Sequence, residues 1–316
     1  MCTSIAKQLE TFFFGRNMDL SCGFGQEVVI MPRAYPLRFR CAGKLAAHYA
    51  LIGMARVEDG YPLYADAGND LGLCMAGLNF PQSAHYDVEQ SPDMENVSPF
   101  ELIPWVLGQC ASVDEAEALL RRTHLTAIPF SDTVGLSPLH WHIADAKRSI
   151  AVEPMSGGLC IRENPVGVMT NEPPFDFHLT NLRQYLRLTP EQPVSAFPGG
   201  SLTPFGWGFG ALGMPGDASP ASRFVRAAFH AACSPAEGGP GQFFHLLDAV
   251  AMPRGSVRDD RGCEFTLYSS CIDPSAGVYY YRTYDNSRIT AVPMGDPDGS
   301  SLRRYPLHQE EDILWT

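Results

Sequence analysis

The sequence predicts an α+β fold in which antiparallel sheets pack against helices. Strand-like segments fill much of the first third of the 316 residues and return near the C-terminus, and helix signals concentrate in the stretches between them. The regular strand–helix alternation of parallel sheets is not seen. No repeat and no Ser/Gly or Pro linker divides the chain, so we expect residues 1–316 to form a single domain.

Short apolar runs between turn residues predict the strands. In the first third these runs are 1–6, 11–15, 27–31, 49–55, 63–66 and 71–76. A strand is also expected to end at Thr170. The remaining runs, rich in β-branched and aromatic residues, are 139–145, 149–153, 264–272, 278–284 and 289–293.

Capping signals and apolar periodicity predict the helices. Ser112 to Glu115 reads as a capping box that opens a helix ending near Arg122. Ser219 is a good N-cap, and Pro220 suits the first helical position of a helix that continues to Cys233. Three further helices are expected at 100–110, 177–186 and 243–250.

Charge and cysteine content exclude several classes of function. The 35 acidic and 23 basic residues give a net charge of −12, which disfavours binding to nucleic acids or anionic membranes. No apolar run is long enough to span a bilayer, and we expect no stable membrane insertion. The start of the chain lacks the pattern of a secretory signal, which predicts the cytoplasm. The 9 scattered cysteines lack a C-x-x-C pair and are expected to be reduced.

Cys2 is the first candidate for catalysis. Removal of Met1 would leave a first residue with both a thiol and a free α-amine. The ordinary pKa values of the two groups lie close together, so the amine can act as the base for the thiol without a histidine. A cysteine at position 2 does not by itself indicate catalysis, because any residue can occupy that position. The neighbouring residues determine whether a catalytic role is indicated.

The residues that follow predict a hairpin around the turn 7–10. If 1–6 pairs with 11–16, Cys2 faces Gly15 or Arg16. The Arg16 guanidinium would then favour the thiolate, and Asp19 could orient the α-ammonium group. An exposed Arg16–Asp19 ion pair of little energetic value explains the same spacing equally well.

Several separated motifs occur in order along nearly the whole chain: Met1-Cys2-Thr3, Gly15-Arg16-Asn17-Met18-Asp19, Ala76-Gly77-Leu78-Asn79-Phe80-Pro81, Thr170-Asn171-Glu172-Pro173 and Gly216 to Phe224. Together they resemble the motifs of the choloylglycine hydrolase family, which comprises bile salt hydrolases and penicillin V acylases. Ser4 departs from the pattern, because many members have glycine there.

The resemblance implies an N-terminal nucleophile hydrolase. Its fold would be an αββα sandwich, two antiparallel sheets between helical layers, usually assembled as a homotetramer. By the same resemblance a protruding assembly loop is expected around 190–218. No metal or organic cofactor is implied. Matched position by position, the site residues would be the nucleophile Cys2, the supporting residues Arg16 and Asp19, the oxyanion and pocket residues Asn79 and Asn171, and the polar partner Arg223.

The expected activity is cleavage of glycine- or taurine-conjugated bile salts through a thioester on Cys2. A penicillin V acylase would use the same machinery, but such members often carry tyrosine where this chain has Asn79. A lipid-binding protein that kept the fold without catalysis is a third hypothesis. Loops near Phe24, 55–61 and 127–133 would either line the acyl pocket or belong to the edge of the core.

Overall fold

Two antiparallel sheets lie face to face, with helices on their outer sides. The computed structural model describes residues 1–45, 47–198, 200, 202–260 and 262–316. In chain order the strands are β1 (Cys2–Gln8), β2 (Phe12–Leu20), β3 (Glu27–Met31), β4 (Leu51–Glu58), β5 (Tyr61–Asn69), β6 (Cys74–Asn79), β7 (Glu95–Val97), β8 (Thr123–Leu125), β9 (Leu139–Ala144), β10 (Ser149–Met155), β11 (Gly158–Glu163), β12 (Val168–Met169), β13 (Val257–Asp259), β14 (Gly262–Asp273), β15 (Val278–Thr283), β16 (Thr290–Pro293) and β17 (Arg303–Pro306). The α-helices are α1 (Leu102–Leu107), α2 (Val113–Leu120), α3 (Phe175–Leu182), α4 (Pro220–Cys233) and α5 (Pro240–Asp248).

The first sheet carries the N-terminal strand β1 one place in from its edge. Its order is β12-β1-β2-β14-β15-β16, and β13 pairs with β14. The second sheet has the order β11-β10-β9-β6-β5-β4-β3-β17, and a short parallel pair, β7 and β8, lies apart from both. Because β1 has a partner on each side, the backbone around Cys2 is held by both neighbouring strands.

Two buried clusters stabilise this arrangement. One joins the facing sheets to α4 and α5, and it includes Phe14, Ile30, Phe224 and Phe243. The other lies on the outer face of the second sheet, where α1 and α2 cover Trp141 and its neighbours. The α+β class and the αββα layering are therefore confirmed.

Local signals predicted some elements well. The helix from Pro220 to Cys233 has the predicted bounds, and the Ser219 side chain accepts a hydrogen bond from the Ser222 amide. The capping box at Ser112 is only half formed, because the Glu115 carboxylate accepts from the Ala111 amide (2.7 Å) instead of the Ser112 amide. Strands β7, β8, β11, β13 and β17 were not predicted, and each of them is short or largely exposed.

The register of the first hairpin differs from the prediction. Cys2 faces Met18, and Arg16 faces Ser4. The reason is that β1 continues through Gln8, so the connection is confined to residues 9–11 and every facing pair shifts. Arg16 is thus diagonal to Cys2, on the same face of the hairpin.

Within the described part of the chain, none of the helices is both long enough and apolar enough to cross a bilayer.

Candidate active site

A cavity of about 490 Å³ opens beside the start of β1. Cys2, Arg16 and Asn79 contribute to its wall. The remaining lining is mostly apolar and comprises Met18, Leu20, Phe24, Arg56, Leu63, Tyr64, Ala65, Gly77, Pro99, Phe100, Val134, Gly135, Leu136, Ser137, Pro138, Leu139 and Glu264. The volume falls in the range of cavities that enclose a drug-sized ligand.

Hydrogen bonds fix the backbone of Cys2. Its nitrogen donates to Asn171 Oδ1 (2.8 Å), and its carbonyl oxygen accepts from Arg223 Nη1 (2.6 Å). Sγ lies 3.9 Å from the thioether sulfur of Met18. Because Met1 is present, the Cys2 nitrogen is a peptide nitrogen here, and removal of Met1 would turn the same atom into an α-amine.

Arg223 ties β1 to the segment that carries Asn171. Besides the Cys2 carbonyl, it donates to Thr3 Oγ1 (2.5 Å), Asn171 Oδ1 (2.8 Å) and the Ala218 carbonyl (2.9 Å). The guanidinium is fully buried, and this burial lowers the pKa of Arg223 from its ordinary value. The atoms that accept these hydrogen bonds are neutral oxygens, so they do not neutralise the positive charge of Arg223 next to Cys2.

Arg16 is fully buried in the wall of the cavity. Nη1 donates to the carbonyls of Gly77 (2.5 Å) and Ala65 (3.1 Å), whereas Nε has no partner among the described residues. Burial alone would lower the pKa of Arg16, but the nearby groups of Cys2, Tyr268 and Asp66 raise it above its ordinary value. Arg16 therefore stays a cation beside the thiol.

Asp66, a buried carboxylate that the sequence did not indicate as a site residue, is one of the groups that raise the pKa of Arg16. Its carboxylate accepts hydrogen bonds from Tyr268 (2.9 Å), Tyr279 (2.6 Å) and Ser270 (3.3 Å). Burial raises the pKa of Asp66, and the Arg16 charge offsets part of the rise. A carboxylate within the apolar strand segment 63–67 was the only local signal, because its hydroxyl partners come from the far end of the chain.

Asp19 lies beside the N-terminal Met1, and its backbone and its side chain make different contacts. Its carbonyl accepts from the Met1 ammonium group (2.6 Å), and its Oδ1 accepts from Thr266 (2.6 Å). Oδ2 is buried without a partner among the described residues. Burial raises the pKa of Asp19, and the charge of Arg223 and the Thr266 hydrogen bond counter that rise. An unpartnered acceptor here is available to an α-ammonium group on Cys2.

Asn79 and Asn171 adjoin each other. Asn171 Nδ2 donates to the Asn79 carbonyl (2.8 Å), so both polar atoms of the Asn171 side chain are engaged. The Asn79 side chain, in contrast, lines the cavity and makes no hydrogen bond to another described residue. Its carboxamide is the one of the pair that is free to meet a ligand oxygen.

Glu264 is a further residue that the sequence analysis missed. Its carboxylate lines the cavity, and its oxygens lie 3.2 and 3.3 Å from the Met1 nitrogen. It stands in the strand segment 264–272 as an isolated charge, and nothing in the sequence places that strand near residue 1.

The structure thus places the other five predicted site residues around Cys2. The alternative prediction, an exposed Arg16–Asp19 ion pair, is wrong because both side chains are fully buried. Of the predicted pocket loops, Phe24 and Arg56 line the cavity, but segment 134–139 takes the place of 127–133. Phe130 instead packs against Phe100, which is itself one of the lining residues.

The strand histidines hold the sheets together. His142 contacts Ser4 (2.7 Å) and Ser149 (2.8 Å), and His140 contacts the Thr170 carbonyl (2.9 Å). Within the ranges that the structure describes, no group of three or more His, Cys, Asp or Glu residues is placed to hold a metal ion.

Comparisons with known proteins identify the family of the chain. The family model for linear amide C–N hydrolases, choloylglycine hydrolase family, matches residues 2–299. The chain is 45% identical to a bile salt hydrolase/transferase of Lactiplantibacillus plantarum, over 98% of each chain.

Solved structures show the same fold. A variant of conjugated bile acid hydrolase from Clostridium perfringens superposes with a TM-score of 0.93 at 36% identity, over 99% of each chain. Penicillin V acylase from Agrobacterium tumefaciens also shares the fold, with a TM-score of 0.77 at 20% identity. The alignment covers 100% of this chain and 94% of the acylase chain. With a family model spanning most of its length, this chain belongs to the choloylglycine hydrolase family of linear amide C–N hydrolases.

Proposed function

We propose that this protein hydrolyses conjugated bile salts to free bile acid and glycine or taurine, with Cys2 as the nucleophile. The observation that carries the proposal is the fixed Cys2 backbone, held by Asn171 and Arg223, in the wall of a cavity of about 490 Å³. The relatives that the chain matches over nearly its full length act on bile salts or conjugated bile acids by their names.

The proposed cycle begins with removal of Met1, which frees the α-amine of Cys2. The amine accepts the thiol proton, and the thiolate attacks the amide carbonyl to form the C–S bond. The proton then passes to the leaving nitrogen as the C–N bond breaks. Water next attacks the thioester, gives one proton to the α-amine, and releases the free acid and the Cys2 thiolate.

We assign the remaining residues by their contacts. Asn79, whose carboxamide makes no hydrogen bond to another described residue, donates to the developing oxyanion. Asn171 positions both partners, because it binds the Cys2 nitrogen through Oδ1 and the Asn79 carbonyl through Nδ2. Arg16 stabilises the thiolate, Asp19 holds the α-ammonium group, and Arg223 fixes β1. The cycle requires no cofactor.

The cavity suits a steroid acyl group better than a small one. Its apolar lining, with Phe24, Leu63 and Leu136, can bury a large rigid hydrocarbon face. Such burial contributes about 25 cal/mol per Å², so a steroid gains several kcal/mol more than a phenoxyacetyl group. The anionic end of the conjugate requires a cation in a protein of net charge −12, and Arg16 is the buried cation in the cavity wall.

The test is hydrolysis of glycocholate, taurocholate and penicillin V under the same conditions. We expect kcat/KM to be higher for at least one bile salt than for penicillin V, and Cys2→Ala to lose turnover while remaining folded. Faster cleavage of penicillin V than of both bile salts would favour the acylase. Tight bile salt binding without turnover would favour the lipid-binding alternative.

We also propose that residues 1–316 form one cytoplasmic domain that assembles as a homotetramer through the loop around 190–218. The support is a set of large apolar side chains exposed in that loop, among them Phe197, Phe205, Trp207 and Leu212. Gly199 and Ser201 of the loop lie outside the described residues. Light scattering on the wild type and on Phe205→Ser/Trp207→Ser tests this, with a smaller particle expected for the double variant and an unchanged one arguing against the loop.

A further inference from the structure

The hydroxyl of Thr266 has one proton, and its surroundings direct that proton to Asp19. The hydroxyl oxygen accepts a hydrogen bond from the Met252 amide (2.8 Å), and Asp19 Oδ1 accepts from the hydroxyl (2.6 Å). The Thr266 amide also donates to the Met252 carbonyl (3.1 Å), so the backbone that follows α5 holds Thr266 by two hydrogen bonds. Because Thr266 is buried among these groups, its hydroxyl is fixed on the Asp19 carboxylate.

This hydrogen bond orients the Asp19 carboxylate. With Oδ1 tethered, the group cannot rotate freely about its Cβ–Cγ bond, so the position of Oδ2 is fixed as well. Oδ2 is buried and has no hydrogen-bond partner among the described residues. A fully buried carboxylate oxygen without a partner is costly, and it indicates a site that a cation completes.

The same hydrogen bond helps to keep Asp19 charged. Burial raises the pKa of Asp19, and the charge of Arg223 and then the Thr266 hydrogen bond oppose this rise most strongly. The N-terminal ammonium group and Arg16 oppose it as well, and Glu264 contacts the same ammonium group. Thr266 is neutral, unlike these other groups, so its replacement removes a hydrogen bond without changing the charge of the site.

We propose that Thr266 is a positioning residue, which aims the Asp19 carboxylate at the α-ammonium group of Cys2. This role rests on the proposed function, in which that α-amine is the base. Thr266 acts through Asp19 and does not contact the reacting atoms. Without the hydroxyl, Asp19 is less charged and less well oriented, so the α-amine of Cys2 should lose its proton at a lower pH.

Trace labelling of the α-amine with acetic anhydride tests this role without any turnover. The parent protein is Cys2→Ala from which Met1 has been removed, so that a free α-amine stands at position 2 with no thiol beside it. Labelling rises with pH through a midpoint, because the neutral amine reacts and the ammonium group does not. We expect Thr266→Val to move this midpoint about one pH unit lower, the scale of one hydrogen bond to a charged group. Thr266→Ser, which keeps the hydroxyl, should retain the midpoint of the parent.

Thr123→Val is the matched control, because the Thr123 hydroxyl is also buried and also makes two hydrogen bonds. It accepts from Trp105 Nε1 (3.2 Å) and donates to the Leu119 carbonyl (2.9 Å), and Thr123 is not part of the cavity lining. The control should lower stability but leave the midpoint unchanged. An unchanged midpoint in Thr266→Val overturns the role, as does an equal shift in Thr123→Val or Thr266→Ser. If Thr266→Val does not fold, Thr266→Ala takes its place with the same expectations.

Bile salt hydrolysis by processed chains that keep Cys2 gives a second measurement. In Thr266→Val, the ratio of kcat/KM at pH 5.5 to kcat/KM at pH 8 should fall about threefold or more, because the carboxylate of Asp19 is protonated more readily as the pH falls. An unchanged ratio in an active variant overturns the role. If the wild type releases no bile acid at all, the proposed function fails, whereas the labelling curves still decide whether Thr266 acts on the α-amine.

Discussion

Asn171 Oδ1 accepts a hydrogen bond from the Cys2 nitrogen at 2.8 Å and another, also at 2.8 Å, from Arg223 Nη2. In the processed protein the first donor would be the α-amine that serves as the base. Asn171 therefore controls where the lone pair of that amine points, and Arg223 controls where Asn171 points.

Asn171→Ala should consequently damage catalysis by misplacing the base. We expect kcat/KM for the preferred bile salt to fall about 10²-fold or more, the scale for a misplaced reacting group. The free energy of unfolding should also fall by about 1–3 kcal/mol, because buried Arg223 loses an acceptor. Steady-state kinetics and denaturant unfolding measure the two effects, and unaltered kinetics would refute the positioning role.

Arg16→Gln should act on the resting thiol. Without the buried cation the thiolate is less favoured, so the rate of inactivation by iodoacetamide at neutral pH should fall about tenfold. Arg56→Gln is the matched control, because Arg56 lines the same cavity but is partly exposed and pairs with Glu58. Equal effects of the two changes would show that general cavity charge, and not Arg16, governs the thiol.

Labelling of the cysteines should follow their burial. Burial raises the pKa of Cys110 to about 12, and it raises the pKa of Cys74 and Cys271 as well. These three should resist iodoacetamide at neutral pH. All nine cysteines are free, and Cys22 and Cys233 are exposed.

The labelling experiment therefore uses a Cys22→Ser/Cys233→Ser background. There we expect peptide mapping to find the first label on Cys2, with loss of activity in proportion to it. Activity that survives complete labelling of Cys2 would contradict its role as nucleophile.

His142 should make the fold less stable in acid. Burial first, and then the nearby His140, lowers the pKa of His142 to about 3, so the folded protein keeps it neutral. The unfolded chain protonates it near pH 6.5, and stability is lost as the pH falls from there towards 3. The loss is about 1.4 kcal/mol per pH unit within this window.

Urea unfolding between pH 7.5 and 4.5 tests this, with His142→Gln as the comparison. Below pH 6 the wild type should lose stability more steeply than the variant by about 1.4 kcal/mol per unit. Other histidines with lowered pKa values, His178 and His230, are present in both proteins and cancel in the difference. Parallel pH profiles would show that His142 is not held neutral.

The sequence predicted best what short-range chemistry determines. The Ser219 cap and Pro220 locate the start of α4, and these signals lie within a few residues of one another. Motif resemblance supplied the six site residues, whereas spacing alone left Arg16 and Asp19 ambiguous. The hairpin register was wrong because the end of β1 depends on packing, which a turn pattern does not report.

The missed residues depend on contacts between distant parts of the chain. Asp66 is held by Tyr268 and Tyr279 on β14 and β15, and Glu264 on β14 meets the N-terminus. The pairing of β2 with β14 brings Glu264 near the N-terminus, and the packing of the two sheets brings Tyr268 and Tyr279 to Asp66 on β5. The sequence does not reveal these contacts and shows only isolated acidic residues inside strands. Such residues indicate that a polar partner exists but do not identify it.

The central claim is that the freed N-terminal Cys2 carries the acyl group. The most direct measurement is intact mass and peptide mapping after bile salt turnover is stopped rapidly in acid, which preserves a thioester. The account predicts a bile acyl adduct on a peptide that begins at Cys2, with none on chains that retain Met1. An adduct on another residue, or full activity in a preparation whose every chain keeps Met1, would contradict it.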